Sequence, residues 1–215
     1  MPGPIDLRLY LVTDSELCAG RGVGATVAAA VEGGVTAVQV RDPRATARAL
    51  FDLSRDLVAM LSGTGVAVVV NDRLDVALAA GAAGAHLGQS DLPPVEARRI
   101  AGPAAVIGWS VTNLAQARAA AALAPGTLDY LGVGPVYATS TKPDAAAPLG
   151  PELMAGLVEV AADSGLACVA IGGIDRARAA AVMARGAVGV AVISAICGAA
   201  DPGAAARALR REVVL

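Results

Sequence analysis

The chain has 215 residues, 55% of them hydrophobic, and its 17 basic and 19 acidic side chains leave a net charge of −2. That hydrophobic share argues against disorder. The near-neutral balance, with no basic stretch and few aromatics, argues against nucleic-acid binding. The length fits one domain spanning 1–215. In chain order the pattern predicts a strand at 9–12, a helix at 26–32, a strand at 37–40 and a helix at 46–61. It continues with a strand at 67–70, a helix at 74–80, a strand at 84–87 and a helix at 95–100. Strands at 106–108 and 130–133 flank a helix at 114–123, and a helix at 151–163 precedes a strand at 167–171. A helix at 176–185, a strand at 189–192 and a helix at 204–211 finish the series.

Eight short β-branched runs, each followed by an Ala-rich amphipathic segment, indicate an α/β fold with a parallel sheet and right-handed crossovers. Closure into a single-domain (β/α)8 TIM barrel is the expected form, with a doubly wound open sheet as the alternative. Aromatics make up only 2% of the chain, so the core is expected to come from Ala, Val, Leu and Ile. The apolar runs have strand length and are broken by Gly or charge, which argues against a membrane role. Met1-Pro2-Gly3-Pro4 does not read as a signal peptide. Cys18, Cys168 and Cys197 lie far apart, form no CxxC and are odd in number, which points to unpaired thiols in a reducing cytoplasm. With His86 the single histidine, a His-rich zinc site is excluded.

Polar residues collect where strands end and βα loops begin, the end of a barrel that carries catalysis. Those positions hold Gln39 and Arg41, Asn71 and Asp72, His86 through Asp91, Ser110, Thr139-Ser140-Thr141-Lys142, Gly172-Gly173, and Ile193-Ser194. Asp72 and Asp91 follow neighbouring strands, about 4.8 Å apart in the ladder, and could share Mg²⁺ with phosphate and water. Each could instead cap a helix. Gly172-Gly173 lets a phosphate approach the backbone, and the helix near Asp175 adds N-terminal amides; a plain glycine turn capped by Asp175 is the alternative, and the position after strand seven favours the phosphate. Gln39, Arg41, Asn71, Ser110 and Lys142 are donors suited to a pyrophosphate. Ser110 is free for a ligand because Asn113, with Gln116 three residues on, caps the following helix better. His86 reads as a satisfied core residue. Gly20-Arg21-Gly22-Val23-Gly24 does not have dinucleotide spacing, and no nucleophile paired with a base is evident. The irregular stretch 137–150 has the length of a lid or binding loop.

Taken together, Tyr10-Leu11-Val12-Thr13-Asp14, Val38-Gln39-Val40-Arg41, Val70-Asn71-Asp72-Arg73 and His86-Leu87-Gly88-Gln89-Ser90-Asp91 resemble thiamine-phosphate synthase. Gly108-Trp109-Ser110, Asp129 through Pro135, Thr139 through Lys142, Ala170 through Ile174 and Gly189 through Ser194 extend that resemblance over nearly the whole chain. It implies a cytoplasmic, Mg²⁺-dependent transferase. Such an enzyme joins 4-amino-2-methyl-5-(diphosphooxymethyl)pyrimidine to a phosphorylated hydroxyethyl-methylthiazole, with loss of pyrophosphate. It further implies that Arg41, Ser110 and Lys142 act in catalysis, and that they hold the pyrimidine pyrophosphate together with Gln39 and Asn71. Asp72 and Asp91 would bind Mg²⁺, and Thr139, Ser140, Thr141, Gly173, Ile193 and Ser194 would hold the thiazole phosphate. The family pattern Gln-x-Arg-x-Lys ends here in Pro43, and Arg44 is the candidate replacement cation. Two alternatives stand: a thiazole tautomerase, disfavoured by Thr112 and Asp72, and a non-catalytic paralogue, suggested only by Pro43. The partners implied are small-molecule substrates, and a homo-oligomer is left open.

Overall fold

The computed structural model describes residues 5–141 and 146–213. Its strands are β1 (Leu9–Val12), β2 (Ala37–Val40), β3 (Ala67–Asn71), β4 (Gly84–Leu87), β5 (Val106–Val111), β6 (Tyr130–Val133), β7 (Ala167–Ile171) and β8 (Gly189–Val192). The helices between them are α1 (Val23–Glu32), α2 (Ala47–Met60), α3 (Leu74–Ala80), α4 (Pro94–Ala101), α5 (Leu114–Ala121), α6 (Gly150–Ala162) and α7 (Arg176–Met183). Two more, α8 (Ser194–Cys197) and α9 (Pro202–Val213), follow β8. All neighbouring strands are parallel, and β1 pairs with both β2 and β8, so the sheet closes and the open-sheet alternative falls away.

Period-two alternation splits the apolar residues into two cores. Leu9, Leu11, Val38, Val40, Val68, Val70, Ala85 and Leu87 face the helices. Tyr10, Val12, Ala37, Val69, Tyr130, Val169 and Ala191 fill the barrel interior. The expectation of a core without aromatics is therefore corrected: two of the three tyrosines sit inside the barrel, 1% and 0% exposed. Glycine makes the room. A Cβ on Gly108 would lie 2.2 Å from Tyr130 Cζ, and Gly108 and Tyr130 are register partners.

Most boundaries shift by one or two residues from the sequence pattern. The larger differences have identifiable causes. β5 runs to Val111 rather than 108 because Ser110 and Val111 pair with Gly132 and Val133. α1 starts at Val23, since Gly22 (φ 85°) serves as its N-cap and Gly24 is accommodated within it. α9 begins at Pro202, suited to a first turn, and extends to the buried Val213. The four-residue α8 is too short to give a periodic signal. Among the described residues no helix is long and apolar enough to cross a membrane, and all three cysteines are buried and unpaired.

Burial pushes the Tyr10 phenol up to about 12 and the Tyr130 phenol upward, and burial raises the Cys168 thiol to about 12. An acid whose folded pKa is raised contributes stability in full below its unfolded value and loses it as pH rises through the folded one. Unfolded Cys and Tyr titrate near about 8.5 and 10. The urea midpoint should therefore hold to about pH 8 and fall steadily between about pH 9 and 12. A midpoint unchanged at the alkaline end would contradict this account.

Candidate active site

A cavity of about 150 Å³ opens at the C-terminal ends of the strands, far above the ~10–15 Å³ that one water needs. Of the residues expected to meet substrate, Gln39, Arg41, Asn71, Ser110, Thr139, Thr141, Gly173, Ile193 and Ser194 all line it. Strand alternation brings several of them together. Gln39, Asn71, His86 and Ser110 are the last inward-facing residues of β2 through β5, with Asn71 beside His86 in register. Ser140 is exposed and is not part of the cavity lining; its neighbours Thr139 and Thr141 bond each other at 3.0 Å. Lys142 lies outside the described residues. From the 137–150 stretch, Thr139, Thr141 and Ala146 reach the cavity wall.

Arg41 is held by its backbone. Its amide donates to Thr13 Oγ1 at 2.9 Å, and that hydroxyl donates to the Arg41 carbonyl at 3.2 Å. Thr13, 1% exposed, thus fixes the residue that carries the guanidinium. Sequence reading noted Thr13 only as part of a motif. Arg44 is an exposed ion-pair partner of Glu16, and its amide donates to Asp42 at 3.1 Å. It is not part of the cavity lining, and its pairing with Glu16 argues against its standing in for the basic residue that Pro43 replaces.

Neither aspartate caps a helix. The N-caps of α3 and α4 are Arg73 and Pro93, without side-chain bonds. Asp91 Oδ2 instead accepts from the Gly88 amide at 2.6 Å, closing the turn after β4. Asp72 is exposed, directly follows Asn71, and has φ 61°, the one non-glycine with positive φ among the described residues. Asp tolerates that region better than most residues, and backbone strain of this kind gathers at functional sites. Among the described residues no three His, Cys, Asp or Glu side chains converge. Neither aspartate is part of the cavity lining; by donor chemistry alone, two carboxylates would suit Mg²⁺ sharing phosphate oxygens rather than zinc.

The glycine pair after β7 has a different local reason from the one expected. A Cβ on Gly172 (φ 100°) would meet Pro135 Cα at 2.5 Å, and one on Gly173 (φ 61°) would meet the Ala138 carbonyl at 2.4 Å. Both glycines therefore let the β6 loop pack onto the β7 loop, and they still line the cavity. The first turn of α7 does not supply a free amide at Arg178, because the Asp175 carboxylate accepts from it at 3.0 Å. Arg178 braces the same corner, donating to the Gly173 carbonyl at 2.6 Å with its guanidinium 4.6 Å from the Tyr137 ring centroid. For α5, Asn113 caps as expected, accepting from Gln116 at 3.0 Å. Gln116 Oε1, however, accepts from the Thr112 amide at 2.7 Å rather than from Asn113.

His86 is not merely a satisfied core residue. It lines the cavity, 8% exposed, with Nδ1 2.9 Å from the Tyr130 hydroxyl and Nε2 2.9 Å from Ser110 Oγ. Tyr130 also meets the Tyr10 hydroxyl at 2.9 Å, and Gln39 Nε2 donates to Tyr10 at 3.1 Å. The available signal was an aromatic in one strand opposite a glycine in the next, Tyr130 beside Gly108.

A closed parallel barrel with a ligand-sized cavity at its strand C-termini, apolar in most of its lining but carrying a set of convergent donors, has the architecture of a (β/α)8 enzyme acting on small molecules. The family model described as thiamine monophosphate synthase matches residues 9–196. The thiamine-phosphate synthase of Xanthobacter autotrophicus is 51% identical over 214 residues, covering 100% of this chain and 99% of that one. That of Azorhizobium caulinodans is 49% identical over 210 residues, 98% of this chain and 96% of the relative. The solved thiamine phosphate pyrophosphorylase from Pyrococcus furiosus superposes with a TM-score of 0.86 at 37% identity, covering 97% of this chain and 96% of that one. This chain belongs to the thiamine monophosphate synthase family.

Proposed function

We propose that this single-domain enzyme makes thiamine phosphate by joining the pyrimidine pyrophosphate to the thiazole phosphate. The observation that carries the reading is one cavity lined by donors from both groups of expected residues: Gln39, Arg41, Asn71 and Ser110, and Thr139, Thr141, Gly173, Ile193 and Ser194. The first group would hold the pyrimidine pyrophosphate, with Lys142 as a further catalytic cation, and the second the thiazole phosphate. In the dissociative route the bond from the pyrimidine methylene to pyrophosphate oxygen breaks, the electron pair leaves with pyrophosphate, and the thiazole nitrogen attacks the resulting cation. This demands stabilised leaving-group charge and aligned partners rather than a protein nucleophile, which fits a cavity whose contribution is donors. Arg41 offers a fixed charge with a planar fork. Asp72 and Asp91 would hold Mg²⁺, which when bound neutralises part of the pyrophosphate charge. Three buried, unpaired cysteines support a cytoplasmic setting.

The test is release of pyrophosphate by purified protein given both substrates and Mg²⁺; binding of both without turnover overturns the reading. Asp72→Asn keeps a residue tolerant of φ 61°, so stability should change by less than about 0.5 kcal/mol. Turnover should fall roughly 100-fold and need more Mg²⁺ to saturate. An unaltered Mg²⁺ dependence would show that Asp72 is not a ligand.

A further inference from the structure

The hydrogen-bonded chain beneath the cavity has a direction, and counting protons sets it. Gln39 Nε2 carries no lone pair, so at 3.1 Å it donates to the Tyr10 oxygen. Tyr10 has one proton of its own and, among the described residues, one remaining polar neighbour, the Tyr130 hydroxyl at 2.9 Å. Its proton goes there. Tyr130 in turn has one proton, and the group on its other side is His86 Nδ1, also at 2.9 Å. Nδ1 is therefore the acceptor and carries no hydrogen. The neutral ring then has its proton on Nε2, which faces Ser110 Oγ at 2.9 Å. Ser110 receives that bond, and its own hydroxyl proton is left to point into the cavity it lines.

Reversing the chain would strand the Tyr10 proton in a site 1% exposed, an orphaned buried donor. A doubly protonated ring would turn Nδ1–H against the Tyr130 hydroxyl and strand that proton instead. The ring has little freedom to escape either conflict. Tyr130 stacks on it at 5.4 Å between centroids, and its slot exists because Gly108 and Gly132 lack side chains: their Cβ atoms would lie 2.5 Å from Nδ1 and 2.9 Å from Cε1.

We propose that His86 is a positioning residue: through a tautomer set by Tyr10 and Tyr130, it holds the Ser110 hydroxyl as an obligate hydrogen-bond donor toward the substrate. The atom served must carry a lone pair that accepts the serine proton, which excludes a group that can only donate, such as an ammonium. The proposal rests on the reading that Ser110 meets the ligand, and it assigns a role to the three ring side chains that this reading leaves without one.

His86 is the single histidine, so ¹⁵N-histidine labelling isolates one imidazole in the unmodified protein. Nitrogen shifts at neutral pH should show a protonated, pyrrole-type Nε2 and an unprotonated, pyridine-type Nδ1. The opposite tautomer, or a doubly protonated ring, overturns the proposal. This measurement needs no substrate, so wild-type protein lacking coupling activity would sink the proposed function and leave the tautomer question separately answered.

Two variants separate positioning from bulk. The amide nitrogen of His86→Gln can occupy the place of Nε2 and still donate to Ser110. His86→Asn reaches only the Nδ1 side. Asparagine should lower kcat/KM about tenfold or more and glutamine should recover to within about threefold of wild type. In a Ser110→Ala background the asparagine change should cost nothing further. Equal losses in the two variants, or additive losses with Ser110→Ala, would overturn the role.

Discussion

Arg41→Ala should lower kcat/KM for the pyrimidine pyrophosphate by roughly 100- to 1,000-fold. Arg41 is the single cation among the described residues that line the cavity, and a leaving pyrophosphate concentrates negative charge as its bond breaks. Fixed donors aimed at developing charge are worth most where water is excluded, and the Thr13 clasp at 2.9 and 3.2 Å fixes the backbone from which this guanidinium extends. The fall should appear mainly in kcat, because the charge that Arg41 meets grows toward the transition state. Arg41→Lys should recover only part of it, since an ammonium restores charge without the bidentate fork. Steady-state kinetics across the three proteins check this. An alanine variant within a factor of a few of wild type would show that the pyrophosphate is held elsewhere in the site. Exposed Arg44, paired with Glu16, provides the contrast: Arg44→Ala should leave both kinetic constants unchanged.

Gly108→Ala should cost about 1–3 kcal/mol of stability, the usual penalty of overpacking, and should depress activity as well. The added Cβ would sit 2.2 Å from Tyr130 Cζ and 2.5 Å from His86 Nδ1. Neither ring can yield easily, since Tyr130 is wholly buried and bonded on both sides. For a chain of this length each kcal/mol lowers Tm by about 2–4 °C. A double-mutant cycle identifies the cause. Tyr130→Ala alone should cost about 3–5 kcal/mol through the cavity it leaves. Combined with Gly108→Ala the total should fall short of the sum by about 1 kcal/mol or more, because the clash with the tyrosine has gone and the imidazole, no longer stacked on Tyr130, has room to shift. Additive penalties would mean that glycine is required at 108 for some reason other than the tyrosine ring.

Much of the architecture was present in the order of residue types. Period-two runs separated by Ala-rich amphipathic segments specify eight β/α units, because strands and helices must each bury one set of side chains. The crowding of Gln39, Arg41, Asn71, Ser110, Thr139 and Thr141 at strand C-terminal ends was equally legible, because parallel topology sends every such end to one rim. What adjacency along the chain could not reveal was pairing across the barrel. Tyr10 and His86 stand in β1 and β4, joined through Tyr130 from a third strand, β6, and this depends on register and closure. The same is true of Thr13 beneath Arg41 and of Gly172 and Gly173, whose missing side chains make way for Pro135 and Ala138. His86 looked like an isolated core histidine for that reason. Local pattern determines which face of a strand is buried, but only the closed sheet determines which buried groups can exchange a proton.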